Sequence, residues 1–273
     1  MGNICIIGPR ASGKTTYLAG LSHFSDLKKD NNAKTIYEVI PVNEDSKELK
    51  LNAENIIQEG LSVEPTRLGD GIDTVDDLPY YSFVIEVKRK FWQPKASIQL
   101  NVRDYPGEVF EKIIDANEED SIHEEFIDEC LMPDVTGGLL LFTEWESSSD
   151  RFYSQLMARF LEMIDERGRL QNYRLAVAMS KCERGEIWPG RLDPEIDLFG
   201  VYLKKTLKTL KNGLPPQNLR FFAMSTFGVL GKYNPRPNRV DAFASDGRAS
   251  ILRDPPIWKP YNLIEPLCWL NGS

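Results

Sequence analysis

Apolar and polar positions switch between two periods along this chain. Asn3 to Ile7 (Asn-Ile-Cys-Ile-Ile) is short, apolar and β-rich and predicts a buried strand. After a glycine-containing gap, Thr16 to Ser22 predicts the first turns of a helix that ends near Phe24, where Asp26 to Lys34 becomes polar and Asn-rich. Thr35 to Val42 alternates with period two, and Pro41 places its end at a sheet edge. Leu49, Ala53, Ile56 and Ile57 recur at helical spacing, so Lys47 to Glu59 predicts an amphipathic helix stopped by Gly60. Leu61 to Pro79 has no period and carries Asp70, Asp73, Asp76, Asp77 and Glu64. It predicts a long loop, and loops of that length inside compact folds tend to be functional.

Pro79 to Lys88 and Ala96 to Val102 predict an antiparallel hairpin that turns around Pro94. Val109 to Met132 predicts one or two helices. Gly137 to Thr143, Arg174 to Ser180 and Arg220 to Met224 predict buried strands. Ser149 to Glu166 predicts a helix with Phe152, Leu156, Phe160 and Met163 on one face. Pro194 to Lys211 predicts another, with Asp193 as N-cap and Pro194 at its first position. Gly228 to Pro260, rich in Pro, Gly and Arg, predicts an irregular insertion, and Asn262 to Leu270 a short closing helix. Alternating strands and helices predict an α/β fold: a mostly parallel sheet with one antiparallel hairpin strand and helices on both faces. No linker divides the chain, so the expectation is one domain over residues 1–273 with insertions near 26–79, 108–134 and 228–260.

Composition narrows the function classes. The 273 residues are 41% hydrophobic and 27% charged, enough to bury a full core. A net charge of −8 argues against nucleic acid or an anionic membrane as the main partner. No apolar run approaches a membrane span, and no basic region followed by an apolar stretch opens the chain, so the expected compartment is the cytoplasm. Cys5, Cys130, Cys182 and Cys268 form no C-x-x-C pair and read as reduced, buried thiols. From Glu108 to Asp134 there are eleven acids against one Lys, which predicts a solvated helix face or a docking face for a basic partner.

The gap after the first strand carries the chemistry. Gly8-Pro9-Arg10-Ala11-Ser12-Gly13-Lys14-Thr15 has the form G-x-x-x-x-G-K-T, a phosphate-binding loop, in the strand–loop–helix setting that such a loop requires. Gly8 and Gly13 let the backbone take conformations that a Cβ forbids. The amides from Arg10 to Thr16 would then face phosphate oxygens at a helix N-terminus. Lys14 would reach the β- and γ-phosphates, and the Thr15 hydroxyl would ligate Mg²⁺. Downstream, Asp104-Tyr105-Pro106-Gly107 has the form D-x-x-G at a strand end. Asp104 can hold the metal's water shell and the Gly107 N–H can bond the γ-phosphate. Ser180-Lys181-Cys182-Glu183 and Met224-Ser225-Thr226 end two further strands.

These four motifs, in this order, resemble the Ras-like branch of the TRAFAC GTPases, and the likeness covers most of the chain. Asp104 to Glu108 in the form D-x-P-G-E, with Pro65-Thr66 ahead of the hairpin, is similar to the bacterial double-GTPase type. The resemblance implies Mg²⁺ and GTP/GDP as ligands, a protein effector or regulator as partner, and hydrolysis as a molecular switch. It places Ser180-Lys181-Cys182-Glu183 at the family's N-K-x-D, with Lys181 along the base and Glu183 accepting from guanine N1 and N2. Ser225 and Thr226 stand at the loop that offers an amide to guanine O6. Thr66 takes the place of the first-switch residue that binds Mg²⁺ and the γ-phosphate, with Thr74 as its rival and Arg67 as a candidate arginine finger.

This chain departs from the family at four positions. Glu183 is one methylene longer than the family's Asp, and Ser180 replaces Asn or Thr, which leaves ATP or broader specificity as an alternative. Lys181 and Glu183 also read as a plain surface ion pair. Glu108 stands where relatives carry a water-orienting Gln, and Arg10 where many have Gly. A carboxylate near the γ-phosphate implies slow turnover, while Arg10 can reach the same phosphate or obstruct a partner's arginine. A nucleotide-binding scaffold with little hydrolysis is therefore a second reading, and an ATP-using phosphotransferase a third.

Overall fold

A computed structural model describes residues 3–27, 35–59, 75–89, 96–114, 121–242 and 249–272. In chain order the main elements are β1 (Asn3–Ile7), α1 (Lys14–Leu27), β2 (Thr35–Pro41), α2 (Glu44–Glu54), β3 (Tyr80–Arg89), β4 (Ala96–Arg103), α3 (Gly107–Glu111) and α4 (Ser121–Leu131). They continue with β5 (Val135–Phe142), α5 (Ser147–Glu166), β6 (Arg174–Met179), α6 (Gly200–Tyr202), α7 (Lys204–Gly213) and β7 (Leu219–Ala223). The last are β8 (Val229–Gly231), β9 (Asn234–Pro237), β10 (Arg239–Ala242), β11 (Ala249–Leu252) and α8 (Glu265–Leu270).

Four strands form a parallel sheet in the order β1-β5-β6-β7. Their apolar runs are nearly unbroken because both faces are covered. Ile7, Leu140, Phe142, Val177 and Met179 point into a core shared with α3, α4, α5 and α7. Ile4, Ile6, Leu139, Leu141 and Ala178 point the other way, into a core with α1, α8 and the antiparallel strands. Those strands, β2-β3-β4, make a separate three-stranded sheet. It meets β1 where Asn101 Nδ2 donates to Asn3 Oδ1 at 2.8 Å. The arrangement is that of a P-loop NTPase: the first strand of the parallel sheet runs through the phosphate-binding loop into a helix.

Three expectations are revised. The helix expected over Pro194–Lys211 is broken. A wide turn over Glu195–Phe199 and the short α6 lead to Leu203, whose extended-side dihedrals (φ −120°, ψ 50°) end the run before α7 starts. The reason lies on another element: Asp150 of α5 accepts from the Lys205 and Thr206 amides at 3.0 and 2.9 Å and so caps α7 from outside. Gly228 to Pro260 is not irregular, since it contains two antiparallel pairs, β8–β9 and β10–β11. The helix expected from Lys47 begins earlier, at Glu44, because Asn43 caps it through the Ser46 amide (3.1 Å). No helix among the described residues is long and apolar enough to cross a membrane. None of the four cysteines is in a disulfide among the described residues; Cys130 and Cys182 are buried, but Cys5 and Cys268 are only half-buried.

Candidate functional site

The G-x-x-x-x-G-K-T loop bridges β1 and α1 at the C-terminal edge of the parallel sheet. Gly13 has φ +90°, a conformation that suits glycine. Gly8 is required for proximity instead: a Cβ there would lie 2.8 Å from the Leu141 carbonyl oxygen on β5. Ala11 also sits at positive φ, 58°, a backbone strain the sequence does not announce. Ser12 is buried and Thr16 half-buried in the first turn of α1. The Lys14 ammonium folds back over the loop and donates to the Gly8 and Pro9 carbonyls at 2.8 and 3.4 Å. Burial lowers its pKa, and the charges of Asp104 and Glu111 oppose that shift.

The D-x-x-G segment closes on this loop. Thr15 Oγ1 donates to Asp104 Oδ2 at 2.6 Å. Burial raises the Asp104 pKa, against the Thr15 hydrogen bond and the Lys14 charge. A hydroxyl and a carboxylate aimed at one point beside a helix N-terminus are hard oxygen donors that suit Mg²⁺, so Thr15 and Asp104 are the residues that would hold it. Gly107 lies so close to the loop that a Cβ would come within 2.2 Å of the Arg10 nitrogen. Arg10 is committed rather than free: its guanidinium pairs with Glu108 at 2.9 Å, and its amide donates to Glu111 Oε1 at 2.6 Å. The acidic run is therefore not simply a solvated face. Besides Glu108 and Glu111, its Glu129 pairs with Arg103 at 3.0 Å and its Asp128 with Arg167 at 2.6 Å.

The other two motifs flank the loop. Ser180 Oγ, at the end of β6, bonds the Ser12 carbonyl at 2.9 Å. Lys181, at φ 55°, donates to the Ala11 carbonyl at 2.7 Å. Burial, then the neighbouring Arg239 and Arg184, brings its pKa down to about 8. Glu183 is sealed at 1% exposure, and neither carboxylate oxygen has a hydrogen-bond partner among the described residues. Lys181 and Glu183 are thus not a surface ion pair with each other. The cation nearest to Glu183 among the described residues is Arg239 of β10, 3.7 Å away. Ser225 is fully buried, and its amide donates to the Tyr261 carbonyl at 3.0 Å. Thr226 packs its methyl against Gly20 of α1 and accepts from the Trp258 indole at 2.7 Å.

Thr66, Thr74 and Arg67 lie outside the described residues. Glu111 and Arg239 were not singled out in the sequence. Glu111 is one acid among eleven, and Arg239 belongs to a segment with no visible period. A cavity of about 270 Å³ lies elsewhere, between β1, β4 and α4; Cys5, Tyr80, Arg103, Phe126 and Glu129 are among the residues that line it, and of the four motifs only Tyr105 reaches it.

No family model matches the chain, and no curated protein matches it in sequence. Among solved structures, it is similar to sup35 complexed with GDP, at 11% identity and TM-score 0.33 over 90% of this chain. The match spans only 40% of the sup35 chain. It is also similar to the signal recognition particle receptor SRb-GTP/SRX complex from Chaetomium thermophilum. There the identity is 9% and the TM-score 0.33, over 83% of this chain and 94% of that one.

Proposed function

We propose that the chain is a Mg²⁺-dependent guanine-nucleotide-binding protein that hydrolyses GTP slowly as a molecular switch, carried by a single domain over residues 1–273. The observation that carries this reading is the convergence of two distant segments, 104–107 and 180–181, on one loop. Asp104 reaches Thr15, Gly107 abuts Arg10, Ser180 bonds Ser12, and Lys181 bonds Ala11. Lys14 and the loop amides would hold the phosphates, and Thr15 and Asp104 the metal, which when bound neutralises charge on the phosphate oxygens. Glu183 would accept from the base. The segment around Thr66 and the segment from Asp104 to Glu108 would tighten around the γ-phosphate and relax after hydrolysis.

A second reading, nucleotide binding with little hydrolysis, is favoured by the Arg10–Glu108 pair. It occupies the side chain that would otherwise orient water and would keep a carboxylate beside the γ-phosphate. Calorimetric titration with GTP, GDP and ATP, with and without Mg²⁺, combined with phosphate-release measurements, separates the readings. The switch predicts guanine-selective binding and slow turnover, both lost in Lys14→Ala, with faster release in Glu108→Gln. Saturable binding without release in either the native chain or Glu108→Gln establishes the second reading. Tighter ATP than GTP binding that is insensitive to Glu183→Ala defeats both.

A further inference from the structure

Glu183 and Arg239 are an incomplete pair. The carboxylate is inaccessible, and the guanidinium side chain is only 11% exposed. Neither Glu183 oxygen nor Arg239 Nη1 has a hydrogen-bond partner among the described residues. At 3.7 Å they are too far apart to satisfy one another. Buried groups left unpaired are costly, and native proteins keep few of them without a use. The backbone that carries Arg239 is tied down. The adjacent Asn238 is buried, its amide donates to the Gly228 carbonyl at 3.0 Å, and its side chain ties to Asp254 through bonds of 2.8 and 3.0 Å. Arg239 Nη2 is anchored by Asp241 at 3.0 Å, leaving Nη1 turned toward Glu183.

We propose that Arg239 is a specificity-determining residue that reads the base together with Glu183, donating to the 6-oxo group of a purine while Glu183 accepts from the ring N1–H. This rests on the guanine-nucleotide reading above and deepens it. An acceptor beside a donor is complementary to an edge with N1–H next to C6=O. With the glycosidic bond fixed by phosphates in the loop, adenine presents the inverse pattern at the same two positions. The backbone leaves the role open, because the Ser225 amide is already committed to Tyr261. Since the carboxylate is sealed, the Arg239 side chain must rotate to admit the base, and its length lets it stay within reach of O6.

The test is calorimetry of the full chain and its Arg239→Met and Arg239→Lys variants with GTP, ITP, ATP and the 2-aminopurine riboside triphosphate, which lacks both the 6-oxo group and N1–H and so cannot make the proposed Arg239 contact. Arg239→Met should weaken GTP and ITP by about 10- to 100-fold, the range for a hydrogen bond to a charged group. It should leave the 2-aminopurine nucleotide unchanged, and Arg239→Lys should recover part of the loss. Thermal unfolding of each variant reports whether the fold is intact. Equal weakening of all four nucleotides, or no weakening of GTP, overturns the proposal while leaving nucleotide binding standing. No binding of any nucleotide to the native chain overturns both.

Discussion

Gly107 shows how a single missing side chain holds the site together. It lies where the D-x-x-G segment meets the Pro9–Arg10 backbone, and a methyl group there would fall within 2.5 Å of three main-chain atoms. Backbone cannot rotate away as a side-chain tip can, so Gly107→Ala should destabilise the chain by about 1–3 kcal/mol in urea unfolding. Gly231→Ala, which meets nothing within 4 Å, should stay within about 0.5 kcal/mol. Lys181 makes a second prediction at this scale. Burial holds its pKa down to about 8, whereas an unfolded lysine keeps its proton to about 10.4. Between those values the unfolded chain binds more protons, so the Lys181 contribution to stability rises with pH across that window and is least favourable below it. The stability of the native chain relative to Lys181→Met should therefore improve between pH 7.5 and 9.5. A difference that stays flat across that range would mean the lysine titrates normally.

At the scale of elements, local pattern and long-range contact decide different things. The continuous apolar runs of β5 and β6 and the alternation in β2 to β4 are visible in the sequence because each face of a sheet imposes its own period. The break before α7 is not, because its cap comes from α5. Asp150 accepts from the Lys205 and Thr206 amides and from the Thr206 hydroxyl at 2.9 Å. Asp150→Ala should cost about 1–3 kcal/mol in urea unfolding, and Asp150→Asn, which keeps one acceptor, clearly less. The same logic explains α3. Its acids read as part of a long solvated run, yet Glu108 and Glu111 fasten the helix to Arg10 of the loop. Charge counting could not separate these two from the other nine acids, because only the direction of the helix out of Gly107 turns them inward.

At the scale of the whole molecule, the C-terminal quarter completes the site that the first fifteen residues begin. Tyr261 pairs with Ser225, the Tyr17 hydroxyl of α1 bonds the Leu263 carbonyl at 2.7 Å, and Trp258 stacks on His23 with ring centroids 5.3 Å apart. Trp258→Ala should lower stability by about 3–5 kcal/mol and, by freeing the Thr226 carbonyl, loosen the segment around Ser225 and Thr226. Thermal unfolding with and without GTP measures both effects, since the ligand-induced rise in melting temperature should shrink as well as the melting temperature itself. A full rise in a destabilised variant would show that this segment supports the fold but not the site.

The sequence alone determined the glycine-framed loop between β1 and α1, the strand ends that carry Asp104 and Ser180 to Glu183, the alternating order of the elements and the α/β class. Each of these is written in neighbouring residues, as a fixed motif spacing or a period of two or 3.6, because local backbone geometry is what such patterns encode. Tertiary structure alone decided that Asp150 caps a helix on another element, that Glu111 sits on the loop amide of Arg10, that Gly228 to Pro260 folds into hairpins, and that Arg239 faces Glu183. These contacts join residues up to 101 positions apart. Nothing in the residues between them records which distant partner will neutralise a buried charge or cap an unpaired amide; that is settled only when the sheet and its helices bring the two together.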